Sequence, residues 1–298
     1  MTFLDIETVH SGRRFVVQRC RRERDGARVV VKRLRSGEGD SYGARSLSAE
    51  HEIRQALTAT PERPRISEPI EFHGPDRGGP ALVLADAGPT DLRKRLGHRT
   101  LDMTTALSFG IELARVLSYL HGHHILHRDI NPSNIVVGAD GHLALVDFDA
   151  ATRVIGLSPD DVPSELTGTL HYIAPEQTGR MGRGVDHRAD LYAAGATLYE
   201  MLTGSPPFAG SDAVALVHAH LARTPVAPAT INPRVPRLLS DLALKLLAKN
   251  PDHRYQTADA LAHDLEEARE RWRETGTISR FELGRADVRG TLAIAQGL

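Results

Sequence analysis

The sequence predicts an α+β fold in two lobes, a small β-rich one followed by a larger helical one. Three observations carry that expectation. Val-rich runs of strand length, Phe15 to Cys20 and Arg28 to Leu34, occupy the first third with Asp25-Gly26 between them, and Asp-Gly between two such runs is a strong hairpin signal. Ala87-Gly88-Pro89 then interrupts the pattern where a hinge would stand. Beyond it, apolar residues recur mostly at helical spacing.

The elements follow in order. Ser46 to Leu57 reads as a helix, with Leu47, Ile53, Ala56 and Leu57 roughly one turn apart, and Ala81 to Leu84 as a short apolar strand. Thr104 to Leu120 places Phe109, Leu113, Val116, Leu117 and Leu120 on one face of an amphipathic helix. Ile135 to Val137 and Leu143 to Val146 flank Asp140-Gly141, a second hairpin. Asp190 to Leu202, Asp212 to Ala222, Arg237 to Ala248 and Ala258 to Arg273 read as helices, and the chain changes character from Thr275 onward. The expected organisation is therefore a small lobe over 1–86, a large lobe over 87–272 and a tail or linker over 273–298.

Bulk properties narrow the function classes. A chain of 298 residues can bury a sizeable core. Its 37 Lys and Arg balance 38 Asp and Glu, a net charge of −1, which carries no electrostatic footprint for nucleic acid or an anionic membrane. No apolar run is long enough to span a bilayer. Met1 to Glu7 is acidic where a secretory leader would be basic. Cys20 stands alone, so no intrachain disulfide can form, which fits a reducing, cytoplasmic location.

Four short elements carry chemistry. Val29-Val30-Val31-Lys32 ends an apolar strand on a lysine. Glu50 lies on the next helix. His127-Arg128-Asp129-Ile130-Asn131-Pro132-Ser133-Asn134 sits between a helix and a strand, and Asp147-Phe148-Asp149 follows a strand. Singly, each has an ordinary reading: a solvated strand lysine, a surface glutamate, an aspartate that forms a turn. Jointly, their order, spacing and context match one motif set. The chain resembles a eukaryotic-type protein kinase domain over roughly residues 7–272, and the expected fold is accordingly the bilobal, protein-kinase-like one. Ala174-Pro175-Glu176 would close the activation segment that starts at Asp147. Asp190 would anchor the catalytic loop, and Arg254 would pair with Glu176 in a buried ion pair.

The resemblance implies roles. Lys32 would hold the α- and β-phosphates of ATP, and Glu50, rather than Glu52 two positions on, would orient Lys32. Asn134 and Asp147 would ligate Mg²⁺ or Mn²⁺, and Asp129 would accept the substrate hydroxyl proton. Gly12, Val17, Val30, Leu84, Ala85, Ala87 and Val136 would border the nucleotide. Thr152, Ser158, Ser164 and Thr167 are candidate phosphosites, although any one of them reads more readily as a solvated loop hydroxyl; Thr169 modestly favours Ser/Thr over Tyr substrates.

Three departures bear on activity. The stretch His10-Ser11-Gly12-Arg13-Arg14-Phe15 keeps only Gly12 of a G-x-G-x-x-G phosphate loop, with Arg13 and Arg14 as substitute phosphate contacts or plain surface charge. Asn131 stands where a Ser/Thr kinase has Lys, a candidate catalytic position without its cation, and Asp149 replaces the Asp-Phe-Gly glycine. The wording of Ile130 to Asn134, of Thr167 to Met181 and of Phe281 to Gly284 resembles the N-terminal Ser/Thr kinase domain of large bacterial signalling proteins, in which a P-loop ATPase, GAF-type sensors and often a histidine kinase follow. In that subfamily the Asn131 substitution is expected, so two functions compete: an ATP-dependent protein kinase acting on a protein substrate, with activity reduced by the altered phosphate loop and by Asp149, and a pseudokinase that serves as a nucleotide-binding interaction module.

Overall fold

The computed structural model describes residues 2–12, 14–35, 41–59, 63–74, 79–154 and 169–287. The Val-rich runs pair as expected. β2 (Phe15–Arg22) and β3 (Arg28–Leu34) form an antiparallel hairpin with Phe15 opposite Leu34 and Val17 opposite Lys32. In its turn the Asp25 carboxylate accepts from Arg22 at 2.9 and 2.5 Å and from the Ala27 amide at 3.1 Å. With β1 (Phe3–Ser11), β4 (Pro69–His73) and β5 (Ala81–Ala85) they complete a five-stranded sheet in the order β1-β2-β3-β5-β4. β1 and β4 are edge strands that the sequence did not announce. β1 is exposed along most of its length, so it lacks the alternation that marks a half-buried strand.

Alternation divides the sheet into two faces. Cys20, Val29, Val31 and Val83 cluster on one, partly covered by Phe3 and Ala81. Phe15, Leu82 and Leu84 lie on the other and pack against Leu47 of α1 (Ser41–Thr58). That helix starts about one turn earlier than its apolar pattern suggests. A parallel bridge from Ile66 to Leu145 stitches the segment between α1 and β4 to the large lobe.

The connector after β5 passes close over the large lobe. Gly88 has φ +157°, and a Cβ there would lie 2.5 Å from the Val137 carbonyl, so only glycine fits. β6 (Thr90–Asp91) and α2 (Leu92–Leu96) lead to α3 (Met103–Gly122), whose first turn is capped by Asp102 accepting from the Thr105 amide at 2.9 Å. β7 (Ile125–Leu126) pairs with β10 (Thr152–Arg153), while β8 (Ile135–Val137) lies between β6 and β9 (Leu143–Leu145). The large lobe is completed by α4 (Arg188–Thr203), α5 (Ala213–Ala222), α6 (Pro228–Ile231), α7 (Arg237–Leu246) and α8 (Ala258–Thr275). Every residue of α4 from Ala189 to Leu202 is buried, so it forms the axis of the lobe. Gly195 lets α7 approach it, since a Cβ would meet that of Leu246 at 2.5 Å.

After α8 the chain does not leave the lobe at once. Ile278 is buried, Phe281 and Leu283 pack on the main core, and Asp264 accepts from the Gly284 amide at 2.6 Å. The Asp287 carboxylate accepts from the backbone of Gln256 and Thr257 at 2.8 to 3.1 Å. The expected tail thus begins with a docked strap over 276–287; residues 288–298 lie outside the described residues.

Candidate active site

The loop between β7 and β8 is held from beneath by Asp190 at the start of α4. This carboxylate is 1% exposed and accepts from the His127 amide at 3.0 Å, the Arg128 amide at 2.8 Å and His121 Nε2 at 3.0 Å. Burial pushes its carboxyl up, but His121 and His127 more than offset that and hold it ionised. The loop presents Asp129, whose Oδ1 accepts from the Thr169 amide at 2.8 Å and Asn131 Nδ2 at 3.1 Å, while Oδ2 accepts from Asn134 Nδ2 at 2.9 Å. Asn131 also donates to Thr169 Oγ1 at 3.1 Å, and its Oδ1 caps the single turn Pro132–Asn134 through the Ser133 amide at 2.9 Å. Because Asn134 spends its amide nitrogen on Asp129, its carbonyl oxygen is the atom left for a hard cation.

Across the cleft, Lys32 lies 4% exposed between two carboxylates, with Nζ 2.8 Å from Glu50 Oε2 and 2.6 Å from Asp147 Oδ1. Asp149 approaches the same ammonium at 3.9 Å and accepts from the Ser46 hydroxyl. Burial pushes the Glu50 carboxyl up, but Lys32 and Arg54 outweigh it and the net shift is down. Asp147 is likewise pushed up by its surroundings and held down to about 2 by Lys32. Burial prevails only at Asp149, whose carboxyl is raised despite Lys32. Glu52 makes no contact with Lys32; its carboxylate takes the Ser48 hydroxyl at 3.4 Å.

The sheet register places Val17, Val30, Lys32 and Leu84 on one face, since Val17 stands opposite Lys32 and Val30 opposite Leu84. Ala85 stands opposite Val29 and so turns its side chain to the other face; only its backbone borders the cleft. Ala87 lies in the connector, its carbonyl near Gly138, and Val136 comes from β8 beneath. Arg19 on β2 clasps the connector, with Nε 3.0 Å from the Asp86 carboxylate and Nη2 donating to the Gly88 carbonyl at 2.5 Å.

The protein kinase domain pattern matches residues 3–265. The chain belongs to the protein kinase family. It is 39% identical over 176 residues to a probable serine/threonine-protein kinase of Streptomyces coelicolor, and 38% identical over 156 residues to the serine/threonine-protein kinase PknB of Mycobacterium tuberculosis. These alignments cover 58% and 52% of this chain but only 25% and 24% of the relatives, so the chain spans a minor part of their length.

In kinase terms, each departure has a local structure. Phe15 stands at the third glycine position of the phosphate loop. Its ring is 8% exposed and lies 4.8 Å from Lys32 Nζ, so an aromatic face meets the ammonium on the cleft side of the sheet. Gly12 donates its amide to the Phe15 carbonyl at 2.9 Å, closing the turn on itself. Arg14 stacks on Tyr42 at 4.6 Å; Arg13 lies outside the described residues. Asn131 braces Asp129 and supplies no cation. The left-handed backbone of the Asp-Phe-Asp motif falls on Asp147, φ +57°, and not on Asp149, so the missing glycine imposes no backbone strain at its own position. Of the candidate phosphosites, Thr152 lies in β10 opposite Leu126, while Ser158, Ser164 and Thr167 lie outside the described residues.

The expected pair of the large lobe is present. Arg254 donates to both oxygens of Glu176 at 2.6 and 2.8 Å, with both side chains essentially unexposed. The same turn carries Gln177, whose Nε2 donates to the Arg128 carbonyl at 2.9 Å and so braces the catalytic loop. Sequence reasoning missed Phe15, Ser46, Arg54 and Gln177 as neighbours of the site. Arg54 alone left a signal, four residues after Glu50, but such a pair usually marks an exposed helix face.

Proposed function

We propose that this kinase transfers the γ-phosphate of ATP to a Ser or Thr hydroxyl of a protein, at a rate reduced by Phe15 and Asp149. The observation that carries the reading is the engaged Lys32–Glu50 pair at 2.8 Å with Asp147 on the same ammonium, because that arrangement aims a buried cation at the cleft. Lys32 would exchange Asp147 for the α- and β-phosphates. Asp129, fixed by Thr169 and Asn134, is oriented to take the proton of the incoming hydroxyl. Val17, Val30, Leu84 and Val136 with the backbone of Ala85 and Ala87 would enclose the adenine, and Gly12 would border the phosphates.

Protein kinases use ATP with Mg²⁺, and the donor set suits that ion. Asp147 and the carbonyl oxygen of Asn134 are hard ligands, and Mg²⁺ asks a protein for only one or two carboxylates beside phosphate and water. Among the described residues no group of three His, Cys, Asp or Glu forms a self-sufficient metal cage. When bound, Mg²⁺ or Mn²⁺ would supply neutralisation of the phosphate charge.

Crowding at Lys32 favours the second reading, a pseudokinase that binds nucleotide as an interaction module. The wider setting we infer is bacterial signalling in the cytoplasm, within a longer parent carrying ATPase and sensor domains. The buried lone Cys20, the relatives' bacterial origin and the motif wording of Ile130 to Asn134 support it. No helix of the described residues is long and apolar enough to cross a membrane.

The test is incubation of the chain with labelled ATP, Mg²⁺ or Mn²⁺ and a generic basic protein, alongside nucleotide binding. Asp129→Asn should abolish transfer and spare binding. Equal transfer by wild type and Asp129→Asn would refute the assignment of Asp129, and binding without transfer in wild type would select the pseudokinase.

A further inference from the structure

We propose that Arg54 is a positioning residue for phosphoryl transfer, locking Glu50 in the orientation that serves Lys32 and joining that pair to Phe148 and to the Ser67 carbonyl. The inference rests on the kinase reading above for its link to catalysis, although not for its geometry.

Arg54 is, with Arg254, the largest fully buried side chain of the described residues, at 0% exposure. A guanidinium taken out of water is costly unless each part of it is matched, and here each part is. Nε and Nη2 donate to Glu50 Oε1 at 3.0 and 2.8 Å, Nη1 donates to the Ser67 carbonyl at 2.6 Å, and the guanidinium carbon lies 4.6 Å from the Phe148 ring centroid. The Phe148 amide donates to the same Oε1 at 3.0 Å.

This divides the Glu50 carboxylate between two tasks. Oε1 is saturated by Arg54 and Phe148, and Oε2 is left to Lys32. Without Arg54 the carboxylate could turn about its terminal bond and present both oxygens to Lys32, which would release the Phe148 amide and, with it, the backbone beside Asp147. Arg54 also ties α1 to the strand-entry segment at Ser67, which bonds to the large lobe through the Leu145 carbonyl at 3.3 Å. One side chain thus couples the helix, the lysine pair and the metal-binding motif. A purely structural role would behave differently: removing one partner of a buried pair strands Glu50 and lowers global stability, which would loosen α8 together with Phe148, whereas loss of the lock frees Phe148 alone.

Arg54→Met and Arg54→Lys separate these cases. The first readout is amide hydrogen exchange of the segment containing Phe148, with α8 as internal control. The second is kcat/KM for ATP beside KM for the protein substrate. Arg54→Met is expected to speed exchange at Phe148 by roughly tenfold while α8 keeps its protection, and to lower kcat/KM for ATP by about tenfold with an unchanged protein KM. Arg54→Lys keeps the charge but not the fork, and should shift both readouts in the same direction by less. If Arg54→Met does not fold, Arg54→Lys decides alone. Wild-type exchange at Phe148 in the variants that fold would overturn the lock. Altered exchange with unaltered kcat/KM would overturn the link to catalysis. A wild-type protein that neither binds nor turns over ATP would sink the kinase reading instead, and with it that link, leaving exchange to decide the lock.

Discussion

Removal of Arg254 offers the most quantitative test of how the large lobe supports the catalytic loop. Its guanidinium satisfies both oxygens of Glu176 and also donates to the carbonyls of Ala248 at 2.8 Å, Arg188 at 2.9 Å and Lys249 at 3.2 Å. Arg254→Met therefore strands one buried carboxylate and deprives three carbonyls of a donor. Breaking a buried pair from one side costs about 3–5 kcal/mol, against a total stability of roughly 5–15 kcal/mol for a domain. At about 2–4 °C per kcal/mol for a chain of this class, the melting temperature should fall by roughly 6–20 °C. Arg254→Met with Glu176→Gln removes the stranded charge, so the double variant should melt above Arg254→Met alone. Circular dichroism melts of wild type, both single variants and the double variant measure this. Transfer activity should fall in parallel, because the Glu176 turn carries the Gln177 brace of the catalytic loop. An Arg254→Met melt within about 2 °C of wild type would refute the reasoning, since no buried pair of this kind is lost so cheaply.

Three further outcomes are expected. Phe15→Gly should lower thermal stability by about 3–5 kcal/mol through the lost core ring, yet tighten ATP binding by freeing Lys32 and the loop backbone; an equilibrium titration showing weaker binding would contradict the crowding argument. Asp149→Gly should raise transfer roughly threefold to tenfold, more visibly with Mg²⁺ than Mn²⁺, as one partly screened contact to Lys32 worth about 1 kcal/mol disappears; lower steady-state activity would instead show that the Ser46 contact to α1 matters more. His220 is buried beside Tyr192 and Phe208, and burial pushes its pKa down to about 4. The unfolded chain therefore binds the extra proton first, so stability is complete above about pH 6.5 and is lost as pH falls toward 4, by roughly 2–4 kcal/mol. His220→Gln should flatten melting temperature over that window, and an unchanged slope would remove His220 as its source.

Much of the architecture was legible because chemistry-bearing residues sit at the ends of well-patterned elements. Lys32 closes a Val-rich strand, Asp129 and Asn134 occupy a loop bounded by a helix and a strand, and the Asp25-Gly26 turn fixes the register that puts Val17 opposite Lys32. The buried Glu176–Arg254 pair was likewise expected from motif order. What escaped depended on burial that spacing does not encode. Glu50 was expected at the site, but nothing in the spacing shows that Arg54, one turn on, is buried with it beneath Leu47 and Leu57. β1 is wet on both faces and β4 opens on a proline, so neither shows strand periodicity. Alternation puts Phe15 on the face of Val17, but the contact of its ring with Lys32, 4.8 Å away, depends on packing that periodicity does not encode. The missing glycine at Asp149 drew attention to that position, whereas the chain carries the left-handed residue at Asp147.

Cys20 has a practical consequence. It is 4% exposed, and burial pushes its thiol up, so it is both shielded and protonated at neutral pH. Maleimide reagents should therefore leave the native thiol largely unlabelled. Cysteines introduced at Leu4 on β1 and Val214 on α5, both exposed, would accept spin or fluorescent labels without background from the native thiol. Distances between such a pair would report opening and closing of the lobes as nucleotide is added, in an otherwise unaltered chain.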